Sequence, residues 1–457
     1  DIDLTSSSIT TDGVNSDGLS VGNIGDNSAQ SVVLLSSVIN IDGDEASAIK
    51  VGTAGRDITQ NFELTNSALT TRGATNATGV ILGGTTGGDS LAVVRIDNSR
   101  IVTSGSNSHG LEIENVAAAS NDMVIRLSDS AQIQATGAGS NGILIASIGE
   151  TANTGKAAGV AVNIDEGTRV VTTSGAAVAE RTGSTVETRL TIGGTISSSS
   201  GLATDLQGGS DTVTFTDTSD VTGTIDLGGD NDTVVLNGLS SNIITEGGDG
   251  DDRALFTTAN GTSETVNLNN FTFTNVEFFE QQGAGTLTID TDGSIFVGYR
   301  VVEGNLFVNA DVSAVDFFVD TAGRLGGSGT MGSLSVMGGT FAPGNSIGTL
   351  NTGNLAFDAN SFFEVEVDDQ GNGDRVIVTG TVNLGGSTLS VFDMAGGGFM
   401  GTDPFSYVII DNDMMDAVIG TFGNITNQLA FLTPTVSYNA GDGKDVQLTL
   451  MRNGGTP

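Results

Sequence analysis

The chain has no cysteine and no tryptophan, one histidine (His109), and 16 lysines and arginines against 54 aspartates and glutamates. Without cysteine there is no disulfide scaffold, no thiol nucleophile and no thiolate metal site. Such a chain also suits passage across a membrane unfolded. The resulting charge of −38 disfavours nucleic acid or an anionic membrane surface as partner, and no cluster of Lys or Arg along the sequence offsets it. No apolar run reaches the length of a membrane-spanning helix. The residues from Asp1 to Thr5 read as strand, without the charged and apolar regions of a signal peptide, so the chain is expected to be a soluble piece of something longer. Aromatics are nearly missing before residue 211, where Phe62 stands alone, and all four prolines (Pro343, Pro404, Pro434 and Pro457) come late.

What the chain does have is glycine, 67 residues of it, and a recurring phrase. The phrase runs from Ile9 to Val21 around Gly13 and returns around Gly43, Gly73, Gly105 and Gly137, at intervals of 30, 30, 32 and 32, with weaker copies at Gly175 and Gly201. A period of this size marks a solenoid. Four residues before each glycine stands Ile9, Ile39, Leu69, Ile101 or Ile133, and two before it Thr11, Ile41, Thr71, Thr103 or Ala135. That is strand alternation with a mostly small inward partner. After the glycine comes a second alternating pair: Leu19 and Val21, Ile49 and Val51, Val80 and Leu82, Leu111 and Ile113, Ile143 and Ile145. The runs are too short and too alternating for helices. Ser7, Ser37, Ser67 and Ser99 hold one equivalent position, and stacking like on like is what in-register parallel coils do. The expected fold is all-β: a parallel β-helix with three short strands per coil and glycine or polar corners, forming one elongated solenoid.

Three sections are expected. Residues 1–207 form long coils with an aliphatic core, in which the variable loops include an insertion near 148–159 that is a candidate contact surface. Residues 208–282 form shorter coils with Gly-Gly-Asp turns at Gly208, Gly228 and Gly247. These turns resemble the calcium-binding Gly-Gly-x-Gly-x-Asp turns of repeat-in-toxin β-rolls, but they recur at intervals of 20 and 19 instead of nine, so consecutive half-sites are missing. Asp230, Asp232 and Asp252 are therefore expected to be solvated corner residues, with no calcium required. Residues 283–457 are aromatic-rich, and 19 of the 20 phenylalanines follow residue 210. The larger core there should make the C-terminal end the stable one.

The C-terminal section carries a specific motif: Gly338-Gly-Thr-Phe-Ala-Pro-Gly-Asn-Ser-Ile-Gly-Thr-Leu350, then Phe362-Phe-Glu-Val-Glu-Val367, Gly373-Asp-Arg-Val-Ile-Val-Thr-Gly380 and Gly385-Gly-Ser-Thr-Leu389. This order resembles the C-terminal passenger segment of autotransporters, the type V secretion proteins of Gram-negative bacteria. The family phrase has Leu where Phe341 stands here. The resemblance covers residues 301–422; upstream it is one of architecture. It implies a right-handed β-helix exported through a C-terminal membrane β-barrel, which this chain does not include, and an autochaperone role for the matching segment, which folds first outside the cell.

Chemical motifs do not add up to an active site. Gly344-Asn-Ser346-Ile-Gly348 spells a hydrolase elbow, but the only histidine, His109, precedes it. Gly327-Ser-Gly329-Thr-Met-Gly332 spells a dinucleotide fingerprint with no helix to follow. His109 is expected to be a solvated turn residue. Paired carboxylates of a polysaccharide-acting β-helix enzyme would need basic neighbours, and the sequence shows no such cluster. No catalytic, cofactor-binding or metal-binding residue and no cofactor is expected, and the chain is not expected to be an enzyme. The expectation is a surface-displayed passenger acting in adhesion or self-association (autoaggregation, biofilm, virulence), secreted to the cell surface at the outer membrane. Its partners are a second copy of itself and a host-cell or matrix ligand. The alternatives are a structural stalk for a missing N-terminal effector, or a polysaccharide-acting enzyme.

Overall fold

A computed structural model describes residues 1–55, 59–84, 91–115, 123–147, 159–237, 243–293, 298–394, 399, 404–413 and 415–454. Strands dominate; one short 3-10 turn, Leu268–Asn270, is the only helical element among the described residues. Two compact units form, one of Asp1–Arg253 with Asn270–Val276 and one of Ala254–Asn269 with Glu277–Pro457.

In the first unit the repeat grammar becomes a parallel β-helix. Each of the first six coils has three strands, as in Ala29–Leu35, Val38–Ile41 and Ile49–Val51, or Leu91–Asp97, Arg100–Thr103 and Leu111–Ile113. Equivalent strands pair in parallel and in register. Leu19, Ile49, Val80, Leu111, Ile143 and Val178 form one column, and Ile9, Ile39, Leu69, Ile101, Ile133 and Val170 another. From the second coil on, both columns are fully buried. Phe62 lies between Val32 and Val94 in the register, inside an otherwise aliphatic core.

Three-strand coils do not persist. Thr195–Asp205 pairs with both Arg169–Thr172 and Val178–Glu180, so two strands of the coil merge into one, and Asp220–Asp226 continues the merged strand across a register shift. The glycine-centred corner disappears at this point, which is why the period shortens.

The corner glycines are there for space. A Cβ on Gly137 would lie 1.7 Å from the Gly105 carbonyl oxygen, and one on Gly105 would lie 2.0 Å from that of Gly73. The backbones of successive corners touch, and any side chain would force the coils apart.

The other corner is held by serine. The amide of Ser7 donates to Ser37 Oγ (3.1 Å), that of Ser37 to Ser67 Oγ (2.9 Å), and that of Ser67 to Ser99 Oγ (2.9 Å). Each Oγ in turn donates to carbonyls of its own and the preceding coil, as Ser67 does to Thr65 and Leu34. One residue earlier, Ser6, Ser36, Asn66 and Asn98 take the left-handed conformation (φ 43 to 51°) that turns the chain. Asparagine and serine tolerate it because their short polar side chains bond locally. Replacing Ser67 by alanine leaves the buried Ser37 amide without its acceptor, and should cost about 2 kcal/mol in urea unfolding, within the usual range for such an orphan. A change under about 0.5 kcal/mol would mean that the ladder follows the fold without stabilising it.

The second unit is also built of parallel strands, with a wider, aromatic core. Gly298–Val308 pairs with Asp316–Gly327, and Thr340–Pro343, Phe362–Val367, Thr388–Asp393 and Asn424–Asn427 continue in parallel. A separate sheet runs from Asp311–Val312 through Thr349–Thr352 and Arg375–Val378 to Phe405–Asn412. It ends differently: Asp445–Arg452 and Leu432–Ala440 add in antiparallel fashion. Leu432–Ala440 is the outermost strand and contains Pro434, a residue tolerated where one side of a strand has no ladder partner. Inside, Phe256, Tyr299 and Phe317 stack at 6.3 and 5.8 Å between ring centroids, and Phe341, Phe363 and Phe422 at 5.6 and 6.1 Å.

Candidate functional site

Two clusters of ionisable side chains stand out. The first lies on the outward face of the first unit. Strand register aligns Val33, Glu63, Arg95, Arg126, Asn163, Thr191 and Thr214 in one row. Arg95 and Arg126 are therefore direct neighbours on adjacent strands, a pair surrounded by four carboxylates and so not a net basic patch. They overhang an open cleft of about 590 Å³ whose remaining lining is Asp97, Ser128, Asp129, Ser130, Asp165 and Glu166.

Arg126 is held in place by Asp165, whose Oδ2 accepts from Nε at 2.9 Å and lies 2.8 Å from Nη2. This pair is solvent-facing, so it orients the guanidinium more than it stabilises the fold. Ser128 Oγ donates to Asp97. Among the described residues Arg95, Asp129 and Glu166 make no side-chain hydrogen bond or ion pair. Two bonded pairs and three open groups thus face one recess, presenting planar donors beside planar acceptors.

The second cluster is buried. The amide of Thr188 donates to Asp211 Oδ1 (2.6 Å), that of Asp211 to Asp232 Oδ1 (2.7 Å), and that of Asp232 to Asp252 Oδ1 (2.8 Å). Here the Gly-Gly-Asp turns repeat the serine device with carboxyl groups. The expectation of solvated corners fails for Asp232 and Asp252, which are buried along with Asp211 and Glu180, and holds for Asp230, which is exposed. Successive turns pack closely: a Cβ on Gly248 would lie 1.6 Å from the Gly228 carbonyl oxygen, and one on Gly228 would lie 2.3 Å from that of Leu206. The second oxygens of Asp211 and Asp232 have no hydrogen-bond partner. Burial, and then neighbouring carboxylates, pushes Asp211 up to about 10 and Asp232 up to about 8, and burial raises Glu180 as well. Among the described residues no group of three ligand-type side chains is arranged to hold a metal.

His109 is also corrected. It is only partly exposed, its Nδ1 accepts the Asn141 amide at 3.0 Å, and burial lowers its pKa to about 4. It is a neutral bridge between coils. Ser346 precedes the strand Thr349–Thr352, and Gly332 precedes Leu334–Met337, so neither glycine motif leads into a helix. The insertion at 148–159 lies outside the described residues, apart from Gly159.

The arginine row was hidden by a frame shift. Arg95 lies ten residues before Gly105 and Arg126 eleven before Gly137, so alignment on the glycines separates them. Alignment on the strands ending at Asp97 and Ser128 would have joined them. A comparison of the chain with protein-family models found no match, and no curated protein matches it.

Proposed function

We propose that this chain is the passenger of an autotransporter, displayed at a Gram-negative cell surface, and that it acts by contact, through self-association and adhesion. The observation that carries the reading is the outward row of Glu63, Arg95, Arg126, Asn163, Thr191 and Thr214, polar side chains set in register on adjacent parallel strands. Such a row offers many weak hydrogen bonds at a constant spacing of about 4.8 Å, and multivalent display multiplies them. The motif at 338–389 supports the passenger assignment. Its strands Thr340–Pro343, Phe362–Val367 and Thr388–Asp393 stack in parallel register around Phe341 and Phe363, as a folding nucleus requires.

Self-association between copies of charge −38 is opposed by a field that reaches about 8 Å at physiological salt. Settling of cells displaying the chain, or sedimentation of the purified chain, should therefore strengthen as salt is raised to moderate levels. Association that is strongest at the lowest salt would overturn self-contact and point to an oppositely charged partner.

A further inference from the structure

The arginine cleft exists because one corner of the helix widens. Two residues separate Ala29–Leu35 from Val38–Ile41, Thr59–Thr65 from Ala68–Thr71, and Leu91–Asp97 from Arg100–Thr103. Three residues separate Met123–Ser128 from Gln132–Ala135, and four separate Gly159–Ile164 from Arg169–Thr172. At Glu187–Ile192 and Thr195–Asp205 the gap is again two. The extra residues form turns closed by Ala131 N–H to the Ser128 carbonyl and Thr168 N–H to the Asp165 carbonyl. Asp129 and Ser130 both adopt positive φ, 52 and 69°, where the preceding coils place a single residue. The widened turns carry Asp129, Ser130, Asp165 and Glu166 outward beside Arg95 and Arg126.

Charge decides what such a recess can take. Two guanidiniums face four carboxylates, so an anion meets a net negative wall on a strongly acidic chain, and a metal cation finds no group of three ligand-type side chains arranged to hold it among the described residues. A neutral polyol meets neither penalty. Its hydroxyl groups donate and accept together, and vicinal pairs match planar guanidinium and carboxylate edges. Arg95, Asp129 and Glu166 stand open, and Arg126 and Asp165, already fixed on each other, lose little freedom on binding. The coils of Asp97, Ser128 and Asp165 together span about 10 Å of stacked backbone, the scale of a short run of sugar rings.

We infer that this cleft is a binding site for a neutral oligosaccharide. No aromatic side chain lines it, so recognition rests on hydroxyl hydrogen bonds. A single site is then weak, with Kd on the order of 1 mM, and works by repetition across many displayed copies. The assignment names a ligand class within the contact reading above. Its test uses purified protein on glycans, so its failure leaves the cell-settling result standing, and the reverse holds too.

The full chain, clustered on a multivalent carrier, is applied to an array bearing neutral gluco-, galacto-, manno- and N-acetylhexosamine oligosaccharides, with sialylated, uronate and sulfated glycans as a separate arm. The expected result is retention on a subset of the neutral glycans, little affected by added sodium chloride. Arg95→Ala and Glu166→Gln should each lower it about tenfold, the loss of one charge-assisted hydrogen bond. Arg95 is exposed and Glu166→Gln keeps the side-chain shape, so an unchanged far-UV circular dichroism spectrum is expected for both. Retention on no glycan, retention only on acidic glycans, or retention that both variants leave intact would each overturn the assignment.

Discussion

Replacing Phe363 by alanine is expected to cost the second unit about 3–5 kcal/mol, the range for removing a fully buried aromatic side chain. Phe363 is fully buried and touches three rings: Phe341 at 5.6 Å, Phe357 at 5.7 Å and Phe422 at 6.1 Å between centroids. These three rings come from three different strands or turns, so no single neighbour can move to fill the space. Geometry-dependent ring contacts add about 0.5–1.5 kcal/mol per pair to the area term. Limited proteolysis in moderate denaturant should leave a fragment spanning 338–380 from the unaltered chain and none from the variant. If the surviving fragment comes instead from the aliphatic coils of residues 1–207, the C-terminal core is not the stable one, and the autochaperone role proposed for it loses its physical basis.

The second large effect concerns pH, and it runs opposite to the usual acid denaturation. Asp211 and Asp232 hold their protons in the folded chain up to about 10 and about 8, whereas in the unfolded chain they release them near 4. Between those limits the folded state binds more protons than the unfolded state, so stability is fully present below about pH 4 and falls as pH rises through the folded values. The groups around the column reinforce the shift: Glu180, Glu187, Asp230 and Asp252 act on these carboxyls, and each raises the pKa of Asp211 or Asp232. Only the backbone amides of Thr188 and Asp211 pull the other way.

Asp232→Asn tests this directly. The amide oxygen can still accept from the Asp211 amide, while the position no longer carries a charge at any pH. At pH 8 the variant is expected to be more stable than the parent by about 2 kcal/mol, and at pH 4.5 the two should melt together. Thermal unfolding followed across pH 4.5–8 would read both. A parent stability that rises with pH in this window, together with a destabilised variant at pH 8, would mean that Asp232 is charged in the folded state and paired with a cation.

Much of the fold was legible because a solenoid writes its register into the sequence. Parallel ladders pair each residue with its equivalent one coil away, so Ile49, Val80 and Leu111 had to share a column once Gly43, Gly73 and Gly105 shared a corner. The serine ladder was legible for the same reason. The left-handed turns at Asn66 and Asn98 are signalled by asparagine standing just before Ser67 and Ser99.

What the sequence determined by itself was therefore everything that depends on repetition: an all-β parallel helix, its inward columns, its corner glycines and its aromatic C-terminal core. The tertiary structure decided whatever depends on a break in repetition. One added residue at Asp129–Ser130 moved Arg126 out of the glycine frame, and only strand pairing put it beside Arg95. Thr195–Asp205 could merge two strands because a glycine at φ 100°, Gly201, let the chain run through where a corner had been. The Gly-Gly-Asp turns look the same in the sequence whether their aspartate faces water or core. Asp232 and Asp252 are buried where each accepts the amide of its counterpart one turn earlier, a contact between successive coils that no local pattern records.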